Sequence, residues 1–280
     1  MIRDTFFDGH RFVNVCRKEM VENWKSLLLR WVMMYGTLAI ALVWNAYWEY
    51  GRYNKSIERI TDGIWSFGMI AFAWGIVIMG CLSASFIMER MKTKNGRTAM
   101  LMLPATQFEK FFARWLVFTF GFLVAYLVAY RLADWTRMLL MMVLFPEKEG
   151  IAQVPLLACL IGGGRESLTD WTLFSDCRQF LMGIGGYFFL QSFYVLGSSI
   201  WPKNTFLKTF AAKMVIFIVY VTVGGLLAET LFAGKHVRLT AEPAEDTVHL
   251  LFTIGFFALA LFNWVLAYYR FKESEIINRW

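Results

Sequence analysis

The sequence predicts an all-α polytopic membrane protein, and three observations support this fold class. Hydrophobic residues make up 58% of the 280 residues, and charged residues make up only 18%. The apolar residues gather in continuous runs that are long enough to cross a bilayer. The net charge of +7 comes from cations that flank these runs, not from a basic stripe with aromatics between them, so nucleic acid is not an expected partner. Residues 1–280 are therefore predicted to form a single transmembrane domain.

Six apolar segments are predicted to be transmembrane helices. Each has the roughly 17–25 residues that a helix needs to cross a hydrocarbon core about 30 Å thick. In chain order they are approximately Trp31–Trp48, Gly63–Ile87, Phe111–Tyr130, Phe180–Trp201, Thr209–Phe232 and Leu250–Tyr269. Arg114 lies near the start of the third segment, where its long side chain is expected to snorkel to the membrane surface.

The distribution of charge predicts that both termini are cytoplasmic. With that orientation, the inner segments contain 18 of the 28 Lys and Arg residues but only 8 of the 21 Asp and Glu residues. The inner segments are 1–30, 89–114, 202–213 and 270–280, the last of which is a short charged tail. An excess of cations on the cytoplasmic side is the usual bias of multi-pass membrane proteins.

Residues 8–28 are predicted to form an amphipathic interfacial helix. Apolar residues recur there at helical spacing and include Val13, Cys16, Met20 and Trp24, with charged residues around them. This pattern is typical of a helix that lies in the membrane interface, and its Trp and Met face is expected to contact lipid. An ordinary helix with its polar face in water is the alternative. The direct run into the first span favours the interfacial position.

The loop between the second and third spans, residues 89–110, is the most distinctive stretch of the chain. It opens with the charged pair Glu89–Arg90 and three further cations, and Pro104 ends a short apolar run. Thr106 and Glu109 have the spacing of a capping box, which predicts a new helix at this point. The short apolar run before Pro104 is expected to form an isolated helical turn between two membrane helices. A turn held in this way could transmit a push from a soluble partner. A basic loop that only sets the topology is the alternative.

The linker 131–178, between the third and fourth spans, is longer than an ordinary loop and is not wholly polar. Its apolar pieces, Met138–Phe145 and Ile151–Ile161, are too short to cross a bilayer. They are expected to be interfacial, re-entrant or packed on the outer face of the protein, with two additional tilted spans as the alternative. Cys159 and Cys177 also fall in this linker. The sequence allows a disulfide between them and favours two separate buried thiols.

A candidate outer gate is formed by Arg131, Asp134 and Glu229. Arg131 and Asp134 are three residues apart at the outer end of the third span, so their side chains are expected to pair. Glu229 lies late in the fifth span, near the outer surface. The alternative for Glu229 is a carboxylate that simply reaches the membrane interface.

No catalytic residue, metal site or bound cofactor is expected in this chain. Ionisable side chains deep in a membrane are usually functional, and the middles of the predicted spans carry almost none. The three histidines lie at span ends or in loops, and the four cysteines have no metal-binding or redox spacing. The phosphate-binding pattern GxxxxGK[ST] does not occur. Energy for any uphill transport would therefore come from another chain.

The loop and the six-span layout resemble the membrane subunits of ABC transporters of the ABC-2 type, most of which are exporters. The shared pattern is an acidic–basic pair, a Gly and a Thr, then leucines and a Pro ahead of the third span. In this sequence the pattern and the residues within it are Glu89, Arg90, Gly96, Arg97, Thr98, Met100, Leu101, Leu103 and Pro104. The run LPATQFEKF is similar to permeases of this type in Bacteroidetes-like bacteria.

The resemblance implies an ABC-2, type V exporter-like fold, in which residues 96–103 are a coupling helix. That helix would dock on a separate ABC ATPase subunit, which would bind ATP and Mg. The resemblance also implies a dimer with a second copy or a paralogue in a bacterial cytoplasmic membrane, with lipid around it. Compared with the family pattern, the linker 131–178 is long and the outer segment 233–249 is short. A non-transporting membrane anchor or assembly subunit for cytoplasmic proteins is the alternative function.

Overall fold

The computed structural model describes residues 6–51, 56–148, 151–161, 172–232 and 245–273. Within these residues the chain forms helices and no strand, and Ile161 and Phe174 make an isolated parallel bridge. The helices are α1 (Gly9–Tyr50), α2 (Ile57–Ser85), a 3₁₀ helix (Glu89–Lys92), α3 (Lys94–Leu101), α4 (Gln107–Leu116), a π-helix (Val117–Gly121), α5 (Phe122–Leu144), α6 (Leu156–Leu160), α7 (Cys177–Ile200), α8 (Thr205–Phe232) and α9 (Glu245–Glu273). We call the end of the bundle with residues 86–106 the loop end, and the opposite end, where α5 ends and α7 begins, the linker end.

Six helices in the described residues are long and apolar enough to cross a membrane, which confirms the prediction of a multi-pass helical protein. They are α1, α2, the continuous rod from Gln107 to Leu144, α7, α8 and α9. Several of these helices extend beyond the predicted bounds. For example, α2 begins at Ile57 instead of Gly63, and α9 begins at Glu245 instead of Leu250. Polar residues at a helix end continue its backbone hydrogen bonds past the apolar run that marks the span in the sequence.

Helix α1 joins two segments that the sequence analysis separates. It runs for 42 residues without a break, from Gly9 to Tyr50, with Asp8 as its N-cap and Gly51 as its C-cap. At 1.5 Å per residue this is about 63 Å, roughly twice the hydrocarbon thickness of a bilayer. Residues 8–28 and the first span are therefore one helix and not two. No Gly, Pro or capping residue stands between Leu27 and Trp31, so the sequence offers nothing there to end the helix.

The third span is longer than predicted and absorbs part of the linker. Helix α5 continues to Leu144, so Met138–Phe145 is the last part of a membrane-length helix and not a separate short piece. The expectation of an interfacial or re-entrant segment at these residues was wrong. Because α4, the π-helix and α5 follow each other directly, the rod from Gln107 reaches from the loop end to the linker end.

A π-helix of five residues, Val117–Gly121, interrupts this rod. Ser83 of α2 donates a hydrogen bond of 2.9 Å from its hydroxyl to the carbonyl oxygen of Phe118. A π-helix widens the turn and releases carbonyl oxygens from the regular ladder, so that a neighbouring side chain can bind them. The second and third spans are thus joined by a polar contact inside the bundle.

Three hydrophobic clusters hold the described part of the bundle together, and two of them are large. Toward the linker end, α1, α2 and α5 pack around Tyr126 and Tyr130, whose hydroxyls donate to the carbonyl oxygens of Phe72 and Gly68 at 2.8 and 2.9 Å. Toward the loop end, α2, α3, α4, α7 and α9 meet in a cluster of buried residues. Its members are Cys81, Ala84, Ile87, Met88, Met91, Met100, Phe111, Phe118, Tyr194, Val195, Ala267 and Phe271.

Helices α7 and α9 are parallel neighbours, and Asn263 donates a buried hydrogen bond of 2.8 Å to the Ser192 hydroxyl between them. Helix α8 packs on α7 at the loop end, where a Cβ added at Gly197 would collide with the Thr209 hydroxyl. Beyond that contact, the apolar side chains of α8 from Met214 to Leu227 are mostly exposed. This helix therefore presents a broad apolar surface that the described chain leaves uncovered.

The segment 151–161 turns back onto the linker end of the bundle. Val154, Leu156 and Cys159 are 0%, 7% and 1% exposed and belong to the cluster around Tyr126 and Tyr130. Of the three alternatives for these residues, packing on the protein is the one observed. The only helix in the described part of the linker after α5 and before α7 is α6, whose five residues are too short to span a membrane.

Candidate functional site

The loop after α2 folds into two short helices. Helix α2 ends at Ser85, the 3₁₀ helix follows, and Thr93 then caps α3 by accepting a hydrogen bond of 3.2 Å from the Gly96 backbone N–H. A Cβ added at Gly96 would collide with the carbonyl oxygen of Arg90 and lie 2.9 Å from the Thr93 hydroxyl oxygen. The turn is therefore closed so tightly that glycine is required at residue 96.

A helix is observed where the resemblance implies a coupling helix at residues 96–103, and it is α3, Lys94–Leu101. It starts two residues earlier because of the Thr93 cap, and Leu103 and Pro104 lie beyond its end. Met100 is 2% exposed and packs in the cluster with Met91 and Phe111. This buried face attaches α3 to the ends of α2 and α4.

The opposite face of α3 is exposed. It is formed by Asn95, Thr98, Ala99 and Met102, which have the i, i+3, i+4, i+7 spacing of one helical face. Met102 is 79% exposed although it is a large apolar side chain. Small and polar residues with one protruding methionine make a narrow exposed ridge on this face of α3. The predicted coupling residues Arg97 and Leu101 lie at the margins of this ridge and are half-buried.

Guanidinium groups from the loop and from α4 converge on Glu19 of α1. The Glu19 side chain accepts from Arg114 at 3.2 Å, from Arg90 at 3.4 Å and from the Asn23 amide at 3.0 Å. Arg90 also donates to Glu22 at 2.8 Å and to the Asn23 side-chain oxygen at 3.0 Å. Three elements distant in sequence, namely α1, the 3₁₀ helix and α4, are thereby joined by charge-assisted hydrogen bonds.

Arg114 does not snorkel to the surface, contrary to the expectation from sequence. Its side chain is 3% exposed and donates to the Ile87 carbonyl oxygen at 2.9 Å as well as to Glu19. A carboxylate and a free helix-end carbonyl oxygen near the guanidinium group compensate its loss of water. Arg114 therefore stabilises the junction between α2 and α4.

A second ion pair joins α1 to the loop directly. Arg30 pairs with Glu89, the first residue of the 3₁₀ helix. The Arg30 guanidinium carbon also lies 3.9 Å from the centroid of the Phe86 ring, which is a cation–π contact. Both members of the predicted pair Glu89–Arg90 thus contact α1, but through different partners.

The capping box predicted at the start of the third span is confirmed. Thr106 accepts from the Glu109 backbone N–H at 3.3 Å, and Glu109 accepts from the Thr106 backbone N–H at 3.0 Å. Glu109 is fully buried, and its carboxylate is compensated by two further hydrogen bonds, from Arg11 at 2.7 Å and from the Asp8 backbone N–H at 2.8 Å. Glu109 therefore also fixes the beginning of α1 against α4.

Lys110 connects the end of α3 to α4. It is 3% exposed, and its ammonium group donates a hydrogen bond of 2.9 Å to the Leu101 carbonyl oxygen. Cations near a helix C-terminus satisfy carbonyl groups that have no partner within the helix. We refer to Arg11, Glu19, Arg30, Glu89, Arg90, Glu109 and Arg114 together as the loop-end cluster.

The residues predicted for the interfacial helix lie on the side of α1 away from this cluster. Val13, Met20 and Trp24 are 59%, 56% and 55% exposed, and Cys16 is half-buried. Glu19 faces the opposite direction, toward α4 and the loop. The first part of α1 thus has a charged face packed on the protein and an apolar face that the described chain leaves free.

The linker end has its own charged site, the linker-end clamp, formed by Arg131, Asp134 and Arg137. The predicted pairing of Arg131 with Asp134 was wrong: Asp134 pairs with Arg137 at 2.7 Å, and the two side chains are 0% and 1% exposed. Arg131 instead donates to the Val154 carbonyl oxygen at 3.1 Å. Arg137 donates to the Ala152 carbonyl oxygen at 2.8 Å, and Asp134 accepts from the Val154 backbone N–H at 2.9 Å. The clamp therefore binds the returning segment by its backbone.

The remaining predicted outer residues have different outcomes. The side chain of Glu229 lies outside the described residues, so its proposed place in a gate stays a prediction. No disulfide joins Cys159 to Cys177. The Cys159 thiol is buried in the bundle, and the Cys177 thiol is exposed at the start of α7. The expectation that both thiols are buried was wrong for Cys177. The tail 270–280 is described only as far as Glu273 and the outer segment 233–249 only from Glu245.

Several site residues were missed by the sequence analysis. They are Arg11, Glu19, Arg30, Asn95 and Arg137, whereas Ala99 and Met102 fall within the implied coupling helix 96–103 without having been singled out. The i, i+3 spacing of Asp134 and Arg137 was visible in the sequence, whereas the partners of Glu19 lie 71 and 95 residues away. Among the described residues, no group of three or more His, Cys, Asp and Glu side chains is arranged to hold a metal ion.

No protein-family model, no curated protein and no solved structure matches this chain. Its function has to be inferred from its own residues and their geometry. Both charged sites consist of ion pairs and hydrogen bonds to backbone groups, an arrangement that connects and orients helices.

Proposed function

We propose that the chain is the membrane-spanning permease subunit of an ATP-driven ABC transporter of the ABC-2 type, acting as an exporter. The observation that carries this proposal is the geometry of α3. This short helix has one face packed into the buried cluster at the loop end of the bundle and an exposed ridge on the other. The resemblance of residues 89–104 to the family's coupling loop supports the same function.

The contacts around α3 suggest how a push on the ridge would reach the membrane. Movement of α3 would pull on α4 through the bond between Lys110 and the Leu101 carbonyl oxygen. It would act on α1 through Arg90, which precedes α3 and contacts Glu19 and Glu22. Because α1 and α4 are continuous with the first and third spans, the displacement would be transmitted as rigid-body motion of whole helices.

In this proposal the loop end is cytoplasmic, and the ridge docks on a separate ATPase subunit that binds ATP and Mg. The positive-inside distribution of Lys and Arg supports this orientation in a bacterial cytoplasmic membrane, with both termini inside. The apolar face of α1 would then begin with Trp24 at the inner membrane surface and continue on the cytoplasmic side through Met20 and Val13. That position is consistent with its exposed aromatic and aliphatic side chains beside Arg17 and Lys25.

We further propose that the permease acts as a dimer with a second copy or a paralogue. The support is the exposed apolar surface of α8, which packs on α7 only near Gly197. A transport path between two protomers would be lined by helix faces that are exposed in a single protomer, such as the apolar face of α8. Lipid alone could cover the same surface, and crosslinking of single cysteines along α8 in membranes separates the two arrangements.

The test of the proposed function is recovery of the tagged chain in mild detergent, followed by measurement of ATP hydrolysis in the complex. The informative variant is Met102→Lys, because Met102 is 79% exposed and a cation is favourable at a helix C-terminus. It changes the ridge without disturbing the buried face of α3. Met100→Pro is less informative, since it would also disrupt the packing of α3 on the bundle.

Lys92→Gln is the matched control, because Lys92 is exposed in the same loop but lies off the ridge. We expect the wild-type chain and Lys92→Gln to retain an ATP-hydrolysing partner. Met102→Lys should lower the ATP hydrolysis recovered with the chain at least about tenfold, because anchor residues at interfaces are commonly worth about 2 kcal/mol or more. Equal recovery of the partner with both variants would refute docking through the ridge. Purification of the wild-type chain with no nucleotide-binding partner would favour a membrane anchor or assembly subunit instead.

A further inference from the structure

Three polar side chains are buried in the middle of the bundle with hydrogen-bonding groups that no described residue satisfies. They are Thr119 of the π-helix and Tyr187 and Gln191 of α7, which are 0%, 8% and 0% exposed. The unpartnered atoms are the two hydroxyl oxygens and both the nitrogen and the oxygen of the Gln191 amide. Buried polar groups nearly always have a partner, and inside a membrane-spanning bundle bulk water does not supply one. These groups therefore require an explanation.

Tyr187 and Gln191 lie on the face of α7 that packs on α2. The Tyr187 hydroxyl is in contact with Gly80, since a Cβ added at that glycine would be 2.6 Å from the hydroxyl oxygen. Gln191 follows one helical turn later on the same face, and both residues are near the middle of α7. The neighbouring Ser192 accepts a hydrogen bond from Asn263 of α9, so polar groups at this level can be satisfied directly across two helices. Gln191 has no such pair within the described part of the chain.

Thr119 comes to the same contact from the π-helix. Ser83, three residues after Gly80 in α2, donates to the carbonyl oxygen of the residue before Thr119. The rings of Phe120 and Phe188, which follow the two hydroxyl-bearing residues in the chain, have centroids 6.2 Å apart. The π-helix, α2 and α7 therefore meet at one level of the bundle.

The geometry of the π-helix accounts for the unpartnered hydroxyl of Thr119. In a regular helix a threonine hydroxyl can donate to the carbonyl oxygen four residues earlier, as that of Thr136 does in α5. The wider turn of a π-helix moves that carbonyl oxygen relative to the side chain. The Thr119 hydroxyl therefore remains available to a partner in the contact with α2 and α7.

The donors and acceptors at this contact select a neutral partner that can both donate and accept hydrogen bonds. The Gln191 amide offers two N–H donors and an oxygen acceptor, and each of the two hydroxyls can act in either way. A cation would leave the amide N–H groups without an acceptor, and an anion would leave the amide oxygen without a donor. Water supplies both kinds of bond and is the usual partner of buried polar groups that protein atoms do not satisfy.

We propose that water is bound in the interior of the bundle between Thr119, Tyr187 and Gln191. This hydrated contact differs from the one around Tyr126 and Tyr130, whose hydroxyls bind backbone carbonyl oxygens directly. Because a bound water can change its partners, the hydrated contact tolerates a shift of the π-helix against α7. The proposal does not depend on the transport function, since all three side chains belong to one chain.

The first test is labelling of the purified full-length chain in detergent by X-ray radiolysis. A short X-ray pulse converts bound water into a hydroxyl radical, which oxidises the nearest aromatic ring, and mass spectrometry of peptides locates the product. Tyr126 and Tyr130 are internal controls, because they are buried in the same bundle and their hydroxyls have protein partners. We expect Tyr187 to be labelled faster than both. This excess should be lost in Gln191→Met, which keeps the approximate size of the side chain but removes the amide.

The second test is the sign of the change in unfolding temperature when the hydroxyls are removed. If they bind water, Tyr187→Phe and Thr119→Val should each lower the unfolding temperature by about 2–4 °C, the shift expected for one hydrogen bond in a protein of this size. Removal of a buried hydroxyl that has no partner should raise it instead. Tyr126→Phe is the matched control, since it loses the bond to the Phe72 carbonyl oxygen and should lower the unfolding temperature in either case.

Labelling of Tyr187 at the rate of the two control tyrosines would overturn the proposal, and so would higher unfolding temperatures of Tyr187→Phe and Thr119→Val. Lower unfolding temperatures without excess labelling would mean that the three side chains bind one another, and this result would also overturn bound water. Excess labelling that persists in Gln191→Met would place the water elsewhere and overturn the assigned site.

Discussion

The loop-end cluster and the linker-end clamp are both built from arginines and carboxylates, but they differ in what the charges bind. At the loop end, Arg90 and Arg114 share Glu19, and their partners are mostly other side chains. At the linker end, Asp134 and Arg137 bind each other and the backbone of residues 152–154. Exposure varies within the loop end, where the Arg90 and Glu22 side chains are 23% and 43% exposed but those of Arg114 and Glu19 only 3% and 6%. The side chains of the linker-end pair are at most 1% exposed.

This difference suggests that the two ends have different mechanical roles. Ion pairs between long, partly exposed side chains can exchange partners at little cost, because water and neighbouring carboxylates compensate each lost bond. A buried pair that also binds backbone groups has no such alternative, so breaking it leaves charges uncompensated. At the loop end the Arg90–Glu22 pair is therefore suited to movement, whereas the buried Arg114–Glu19 pair, like the linker-end pair, is suited to holding one arrangement. The following variants test this contrast.

The largest expected effect is that of Asp134→Ala. The variant leaves Arg137 buried without its carboxylate and the Val154 backbone N–H without its acceptor. We expect a loss of about 3–5 kcal/mol of stability, seen as a large fall in thermal unfolding temperature in detergent. The control is Arg131→Gln, which loses a contact to a carbonyl oxygen and should cost about 1 kcal/mol. Equal effects of the two variants would contradict the clamp.

Glu19→Ala should have a smaller effect on stability and a larger one on movement of the loop. Arg114 loses its carboxylate but keeps the Ile87 carbonyl oxygen, and Arg90 keeps Glu22. We expect a loss of about 2–3 kcal/mol, which is below the range for complete loss of a buried partner. Trypsin cleavage after Lys92 should also become faster than in the wild type and in Asp134→Ala. An unchanged cleavage rate would show that Glu19 does not restrain the loop.

Gly96→Ala tests the tight turn that positions α3. The new methyl group would collide with the Arg90 carbonyl oxygen, and overpacking of this kind typically costs about 1–3 kcal/mol. Gly36→Ala is the matched control, since no atom lies within 4 Å of a Cβ at that position in α1. The control should stabilise the protein by about 0.5–1 kcal/mol because alanine favours the helix. The two substitutions should therefore shift the unfolding temperature in opposite directions.

The smallest expected effect belongs to Thr106→Ala, which removes the hydroxyl of the capping box. Loss of an N-cap hydroxyl costs about 0.5–2 kcal/mol, typically near 1. Thr98→Ala is the control, because its hydroxyl only donates to the Lys94 carbonyl oxygen within α3 at 3.0 Å, and alanine is the better helix former. A loss for Thr98→Ala equal to that for Thr106→Ala, measured by denaturant or thermal unfolding, would argue against a stabilising cap.

Much of the fold could be predicted because its signals are local. Runs of apolar residues are sufficient to locate six membrane-length helices, and the Thr106–Glu109 capping box depends on residues three positions apart. The length of α1 was missed since the sequence was divided where its composition changes, although helical backbone hydrogen bonding does not require constant composition. The extension of the third span through Leu144 was missed for the same reason.

The partners of the charged residues could not be predicted in this way. Asp134 has an arginine three residues before it and another three residues after it, so local spacing favours Arg131 and Arg137 equally. The choice is made by the segment 151–161, because the Val154 and Ala152 carbonyl oxygens each bind one arginine. Likewise, the buried position of Arg114 depends on Glu19, which is 95 residues away in the chain.

The sequence by itself determined the membrane-spanning helical class, the approximate positions of the apolar helices and the Thr106–Glu109 capping box, because hydropathy and hydrogen bonding within one turn are properties of neighbouring residues. Only the tertiary structure decided which charges are buried, which arginine pairs with Asp134 and which face of α3 is exposed. Those outcomes depend on the compensation of buried charge by groups from distant parts of the chain, and no local pattern contains that information.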